Sequence, residues 1–295
     1  MWQSERLSLT THCVPELPEV ETVRRGLERQ TQGFRIERVE VLRARAIASP
    51  PLPAQFCSAL EGCTLPTWQR RGKYLIASLE RDGKNAGHWG VHLRMTGQFL
   101  WLKDGQQPCR HTRVRLWNAA GEELRFVDLR SFGEMWWVPP SLPIDSVITG
   151  LRKLGPEPFD AAFSPAYLKQ RLAGSGRPIK TALLDQGLVA GVGNIYADES
   201  LFMARINPHT PSGRLQPSQL ERLHSALVEV LTTSIGAGGT TFSDFRDLTG
   251  TNGNYGNAAW VYRRSGEPCR VCGGPIRRDK LAGRSSHWCP NCQGG

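Results

Sequence analysis

Four cysteines at the end of the chain, Cys269-x2-Cys272-x16-Cys289-x2-Cys292, constrain the fold more than any other feature of the sequence. Each C-x2-C pair can present two thiolates to one face of a tetrahedral Zn2+. The spacing predicts one structural zinc per chain, because four sulfur ligands leave no open position for a substrate. The other four cysteines, Cys13, Cys57, Cys63 and Cys109, are scattered through the first half. That pattern argues against a disulfide framework and for a reducing cytosol. Around the cluster, Arg263, Arg264, Arg270, Arg277, Arg278, Lys280 and Arg284 stand against Glu267 and Asp279. A charge run is commonly a solvated face, but arginines on a zinc-held knuckle favour nucleic acid.

The whole chain agrees in sign. Among 295 residues there are 37 Lys+Arg and 27 Asp+Glu, a formal net charge of +10, which points to a polyanionic partner. With 39% hydrophobic residues a packed core is expected, and the length suits about two domains. No apolar run reaches the roughly 18 to 20 residues of a membrane helix, and residues 1–14 have neither a basic start nor an apolar stretch. A cytoplasmic protein, without membrane contact, is therefore expected.

Pro18 with Glu19 and Glu21 starts a predicted helix over Pro18–Gln30, with Val20, Val23 and Leu27 on one face. From Ile36 to Trp137 short β-rich runs separated by Gly, Asn and Asp predict a β-sandwich. Prolines 139, 140, 143, 156 and 158 mark a connector and a boundary near residue 150. Helices are expected from Ser164-Pro165, over Ile179–Asp185 and over Asn194–Ala204. A longer helix is expected from Ser218, capped in a box with Glu221. The Gly-, Thr- and Asn-rich stretch Gly236–Asn257 reads as a mobile loop that closes on a ligand.

Pro15-Glu16-Leu17-Pro18-Glu19-Val20-Glu21, Arg70-Arg71-Gly72-Lys73-Tyr74, His92-Leu93-Arg94-Met95-Thr96-Gly97, Gly191-Val192-Gly193-Asn194-Ile195-Tyr196-Ala197 and the terminal cysteines resemble, in order, the bacterial formamidopyrimidine-DNA glycosylases. The resemblance runs from Pro15 to about Gln293. It implies an α+β multidomain architecture: an N-terminal β-sandwich with flanking helices over 15–149, a helix-two-turn-helix domain over 150–262 and a zinc finger over 263–295, with residues 1–14 as an extension. It further implies a monomer that holds damaged double-stranded DNA in the cleft, acting at the nucleoid of a bacterium.

The resemblance also assigns roles. Pro15 is the nucleophile that attacks the sugar C1′, forms a Schiff base and drives β,δ-elimination. Glu16 protonates the sugar ring oxygen, and Glu19 helps to position the site. Lys73 and Arg284 complete the catalytic set with Pro15 and Glu16 and reach the DNA backbone, Asn194 and Lys180 contact DNA, and Met95, Arg130 and Phe132 fill the space left by the flipped nucleotide. Taken alone, Pro15-Glu16 reads as a plain helix start, Lys73 as a surface residue, Asn194 as an ordinary cap, and Met95 and Phe132 as core. The seven histidines, His88, His92 and His111 included, show no ligand spacing and read as structural or surface residues. The frequent family pattern Asp-Pro-Arg-Arg-Phe-Gly stands here as Asp128-Leu129-Arg130-Ser131-Phe132-Gly133, a departure that bears on the loop's rigidity and on one phosphate contact. The start and the Met, Arg and Phe set resemble the branch that excises oxidised purines, 8-oxoguanine and formamidopyrimidines; the oxidised-pyrimidine branch is the alternative.

One chemical condition stands apart. With Val14 attached, the Pro15 nitrogen is a tertiary amide whose lone pair is delocalised. Three readings follow: translation starts at Val14, through a codon decoded as Met and later removed; the extension is cleaved; or the protein is a non-catalytic zinc-finger DNA-damage binder. The first is favoured, because Val14 lies immediately before Pro15 and the extension carries no recognisable signal.

Overall fold

The computed structural model describes residues 14–103, 105–240 and 255–294. Residues 1–13 of the extension and most of the expected closing loop lie outside them. The first helix, α1 (Leu17–Gln30), begins one residue before the expected Pro18. Pro18 lacks an N–H and so suits the first turn, and Glu16 takes the cap position. Leu17, Val20, Val23 and Leu27 are buried at helical spacing.

Beyond α1 the chain runs through β1 (Arg38–Val41), β2 (Ile47–Ser49), α2 (Pro53–Leu60), β3 (Trp68–Arg71), β4 (Tyr74–Arg81), β5 (Lys84–His92), β6 (Gly97–Leu102), β7 (Thr112–Trp117), β8 (Glu123–Asp128) and β9 (Glu134–Val138). These strands form a five-stranded sheet, β2-β9-β5-β4-β3, and a four-stranded sheet, β1-β7-β8-β6. Both sheets contribute to one core: Trp89 and Phe99 meet edge-on with ring centroids 5.8 Å apart, and Phe99 lies 5.2 Å from Phe126. This is the expected sandwich. Its loops put Arg70–Lys73 and His92–Thr96, two of the segments on which the resemblance rests, at strand ends together with Asp128–Gly133.

The connector holds a short helix, α3 (Ile144–Val147), and then an ion cluster ties it back to the sandwich. Glu157 accepts hydrogen bonds from the Gly72 amide (2.6 Å), Arg71 Nη1 (2.9 Å) and Arg70 Nη1 (2.6 Å). The helical part comprises α4 (Pro165–Leu172), α5 (Ile179–Leu183), α6 (Asn194–Met203) and α7 (Pro217–Gly236). Ser164 caps α4 by accepting from the Tyr167 amide at 3.1 Å. The cap of α7 differs from expectation: Pro217 opens the helix, and Gln216 with Gln219, not Ser218 with Glu221, forms the box. Proline at the first helical position puts the start of α7 ahead of the Ser218 hydroxyl. Leu220, Leu223, Leu227, Val230 and Leu231 are buried, as the periodicity predicts.

The chain ends in the hairpin β10 (Arg277–Leu281) and β11 (Arg284–Trp288), flanked by the two cysteine pairs. Among the described residues no helix is long and apolar enough to cross a membrane.

Depth in the sandwich separates two phenylalanines of β8 and the loop after it. Phe126 is fully buried and Phe132 is 41% exposed. Phe126→Ala should cost about 3 to 5 kcal/mol of stability, whereas Phe132→Ala should change it by no more than about 0.5 kcal/mol; urea unfolding of the two variants measures both.

Candidate active site and nucleic-acid interface

Glu16 sits where two domains meet. Its carboxylate accepts hydrogen bonds from the Ile195 amide (3.0 Å) and the Tyr196 amide (3.4 Å), in the first turn of α6. Helix N-terminal amides lack partners within the helix and carry partial positive charge, so a carboxylate is the natural acceptor. The approach requires glycine at 193, where a Cβ would lie 2.2 Å from the Glu16 carboxyl carbon. Burial raises the Glu16 carboxyl above the usual carboxylate range, against the opposing pull of Lys73 and these amides.

Glu19 lies one turn on. Its Oε2 accepts from the Glu16 amide at 2.8 Å, while Oε1 accepts from the Tyr196 hydroxyl (2.5 Å) and the Thr240 amide (2.8 Å). Burial, with the like charge of Glu16, pushes its carboxyl up to about 7. Lys73, half-buried in the β3–β4 turn, is lowered below the ordinary lysine range by burial; Glu16 and Glu19 oppose that shift and Arg284 adds to it.

These groups share a cleft of ≈ 590 Å³ whose walls include Val14, Glu16, Lys73, Gly193, Asn194, Arg284, Ser285 and His287. The structure thus brings Glu16, Lys73, Asn194 and Arg284 together from α1, the β3–β4 turn, α6 and the finger hairpin. Pro15 is buried immediately beside Glu16 in the chain. Among the described residues the buried Asn194 Oδ1 has no partner, and the Asn194 amide nitrogen donates to Ser285 Oγ at 3.2 Å.

Met95, Arg130 and Phe132 stand apart from this cleft, on two neighbouring loops of the sandwich. Neither apolar member belongs to the core: Met95 is partly exposed and Phe132 exposed, with the Arg130 guanidinium 4.8 Å from its ring centroid. The departure at Leu129 and Ser131 does not leave their loop unsupported. The buried Asp128 carboxylate accepts from the Thr96 hydroxyl, the Arg130 amide (3.1 Å) and the Gly133 amide (2.7 Å), so three donors brace it from inside.

Lys180 corrects the sequence reading. It is fully buried on α5, and its ammonium pairs with Asp198 Oδ1 at 2.7 Å and with the Ser285 carbonyl. A charge spent on an internal carboxylate with no exposed surface has no reach to DNA. Two histidines beside the site had been given no role in it. His92 is buried edge-on to Tyr74 and driven to about 3 by burial, then by Arg94 and Lys73, so it stays neutral beside the site. His287 lines the cleft and donates its amide to Asp198 Oδ2 at 2.9 Å. His92 lay inside a quoted motif, but no local pattern marked His287.

The four finger thiols fit zinc. A tetrahedron with Zn–S of about 2.3 Å places sulfurs about 3.8 Å apart. Cys269 and Cys292 sulfurs are 3.8 Å apart, Cys272 and Cys289 3.4 Å, and all four lie within 4.8 Å of one another.

Known proteins match this arrangement along the described chain. The family model for the formamidopyrimidine-DNA glycosylase N-terminal domain matches residues 14–135, that for its H2TH domain residues 154–246, and a zinc finger found in FPG and IleRS residues 266–294. A formamidopyrimidine-DNA glycosylase of Parasynechococcus marenigrum is 70% identical over 281 residues, 95% of this chain and 100% of that protein. The chain belongs to the formamidopyrimidine-DNA glycosylase family. A second member, from a Synechococcus strain, is 64% identical over 95% of this chain and 99% of its own. Among solved structures, Lactococcus lactis Fpg in complex with DNA containing an abasic site superimposes with a TM-score of 0.86 at 35% identity, covering 95% of this chain and 100% of that one. The FPG protein of Thermus thermophilus gives a TM-score of 0.83 at 40% identity, covering 95% of this chain and 99% of that one.

The family's finger here is a structural zinc site, and elemental analysis should find one zinc per chain. Such binding is worth roughly 10 to 16 kcal/mol in finger peptides. Stripping it with a chelator should unfold the hairpin and weaken DNA binding while circular dichroism retains the sandwich signal. The raised Glu19 carboxyl makes a second prediction. Its folded state holds a proton more tightly than the unfolded chain, so its contribution is complete below about 4.5 and is lost as pH rises through about 7. Between those values the wild type should lose stability relative to Glu19→Gln, measured by urea midpoints at fixed salt.

Proposed function

We propose that this chain is a bifunctional DNA glycosylase and abasic-site lyase of base excision repair that removes oxidised purines, 8-oxoguanine and formamidopyrimidines, from double-stranded DNA. The observation that carries the reading is the buried Glu16 carboxyl, raised in pKa, next to Pro15 and facing a cleft with Lys73, Asn194 and Arg284. A carboxyl whose hold on its proton is strengthened by burial is better suited to act as a general acid than an exposed one.

In this reading Pro15 acts as a free secondary amine and attacks C1′ of the damaged nucleotide. Glu16 gives its proton to the sugar ring oxygen, the ring opens, and the base departs. The resulting Schiff base acidifies the adjacent sugar carbon, and β- then δ-elimination release the two phosphates. Asn194 and Arg284 hold the backbone, and Lys73 adds positive charge beside Glu16. Phosphate contacts of this type fix register and carry no base information. Met95 and Phe132 enter the stack in place of the flipped nucleotide, at an unstacking cost of a few kcal/mol, while Arg130 pairs with the orphaned base. The protein works as a monomer at the bacterial nucleoid, with the domain limits 15–149, 150–262 and 263–295.

Two other readings have a specific observation each. Val14 lines the cleft beside Glu16, so a chain that keeps its first 14 residues would be a damage binder with a blocked amine. A solved Lactococcus lactis FPG complex contains DNA with an oxidised pyrimidine, so that lesion class belongs in the assay.

Two forms of the protein decide among them: one produced from a Met placed directly before Pro15 and processed, the other retaining residues 1–14. The first should excise 8-oxoguanine opposite cytosine, nick the strand and give a borohydride-trapped cross-link that peptide mapping places at Pro15. Glu16→Gln in that form should lower base release about 100-fold or more with DNA binding retained. Full activity from the verified longer form would sink the Pro15 assignment, and lesion binding without excision from both forms would favour the binder.

A further inference from the structure

Arg284 begins β11 at the tip of a two-stranded hairpin, exposed over the cleft, and among the described residues its guanidinium has no hydrogen bond or ion pair. A lone two-stranded ribbon is only marginally rigid. Something must therefore set this tip against Glu16 and Asn194. The finger thiols lie at the far end of both strands, so the metal fixes the base of the hairpin and not its register on the helical domain.

The residues just after Arg284 supply the missing link. Asp198, in the second turn of α6 and fully buried, accepts from the His287 amide at 2.9 Å and from His287 Nδ1 at 3.2 Å on Oδ2. On Oδ1 it takes the Lys180 ammonium at 2.7 Å and the Ser286 hydroxyl at 3.4 Å. The same ammonium holds the Ser285 carbonyl, and Asn194, one turn earlier on α6, holds the Ser285 hydroxyl at 3.2 Å. Three consecutive residues of β11 are thus pinned to α5 and α6, Ser286 and His287 by the Asp198 carboxylate itself and Ser285 by its counter-ion Lys180 and by Asn194. Every atom facing Asp198 is a donor, so an amide in its place would turn an NH2 group toward either Lys180 or His287.

We propose that Asp198 is a positioning residue for Arg284. It sets the hairpin on α6 so that Arg284 and Asn194 address the same anionic backbone, with Lys180 as its buried counter-ion. This rests on the reading of the cleft as the DNA site. A misplacement of about 1 Å can cost about 100-fold in rate, and the short tether from Ser285 to Arg284 transmits such a shift directly.

The test uses the full zinc-loaded chain beginning at Pro15 and an 8-oxoguanine:C duplex. Asp198→Asn should lower kcat/KM by about 100-fold, as Arg284→Ala does, and the double variant should be no worse than Arg284→Ala, because the two residues act as one. The slope of log affinity against log salt should fall by about one in Asp198→Asn, the signature of a lost phosphate contact; a merely structural role leaves it unchanged. Asp198→Asn carries an unpaired buried lysine, so Lys180→Met with Asp198→Asn provides a second variant with no stranded charge, and it should show the same loss with one zinc per chain. Losses that multiply in the double variant, or a wild-type salt slope in Asp198→Asn, would overturn the proposal while the function stands. Zinc loss or unfolding in both Asp198 variants would overturn it too, by making Asp198 a prop of the fold. If Arg284→Ala binds and cuts like wild type, nothing remains to be positioned, and both the proposal and the reading of the cleft fall.

Discussion

The meeting of the Glu16 carboxylate with the first turn of α6 joins the sandwich to the helical domain and sets the chemistry of the site in one contact. The helix offers amides without partners, and the carboxylate needs donors once it has left water. The Leu17 amide adds a second tie by donating to the Gly191 carbonyl at 3.1 Å. Gly191 takes a left-handed φ of +85°, and a Cβ there would press within 2.6 Å of the Leu17 side chain. The Gly-Val-Gly run is therefore a fitting surface for α1 as well as a helix start. Desolvation outweighs the amides and Lys73, so the Glu16 carboxyl lies above the usual carboxylate range.

Helix α6 extends that logic on its other faces. Residues 195–202 are all buried, so it carries no simple apolar stripe and behaves as a central strut. Tyr196 holds Glu19 on one side, Asp198 holds the finger hairpin on another, and the Glu199 carboxylate accepts the amides of Trp260 (2.8 Å), Val261 (3.0 Å) and Tyr262 (2.8 Å). Each buried acid is satisfied by donors from a segment distant in sequence. Losing one would leave charged or polar groups stranded, which is far costlier than losing an exposed ion pair. The loop of Arg130 and Phe132 is built the same way around Asp128, which explains how it stays braced without the proline that its relatives frequently carry.

Local signals were legible wherever a residue's role follows from its neighbours in the chain. The cysteine spacing specified the finger, periodicity specified α1 and α7, and short β-rich runs specified a sandwich. The errors came where a backbone feature overrode a side-chain rule. Pro217 opens α7, so the cap falls on Gln216, whereas the expectation of a capping hydroxyl had put it on Ser218. Motif matching located Glu16, Lys73, Asn194 and Arg284, and the structure gathers those four in one cleft. Lys180 pairs instead with buried Asp198; a lysine looks the same on paper whether it faces solvent or a carboxylate.

Sequence alone determined the element types and the zinc ligand set, both properties of short windows with a fixed period or spacing. Only the tertiary structure decided which acids are buried and what faces them. Glu16 meets Ile195 across 179 positions, Glu19 meets Thr240 across 221, and Asp198 meets His287 across 89. Proton affinity depends on desolvation and on charges within a few ångströms, and those neighbours exist only after the chain has brought remote segments together.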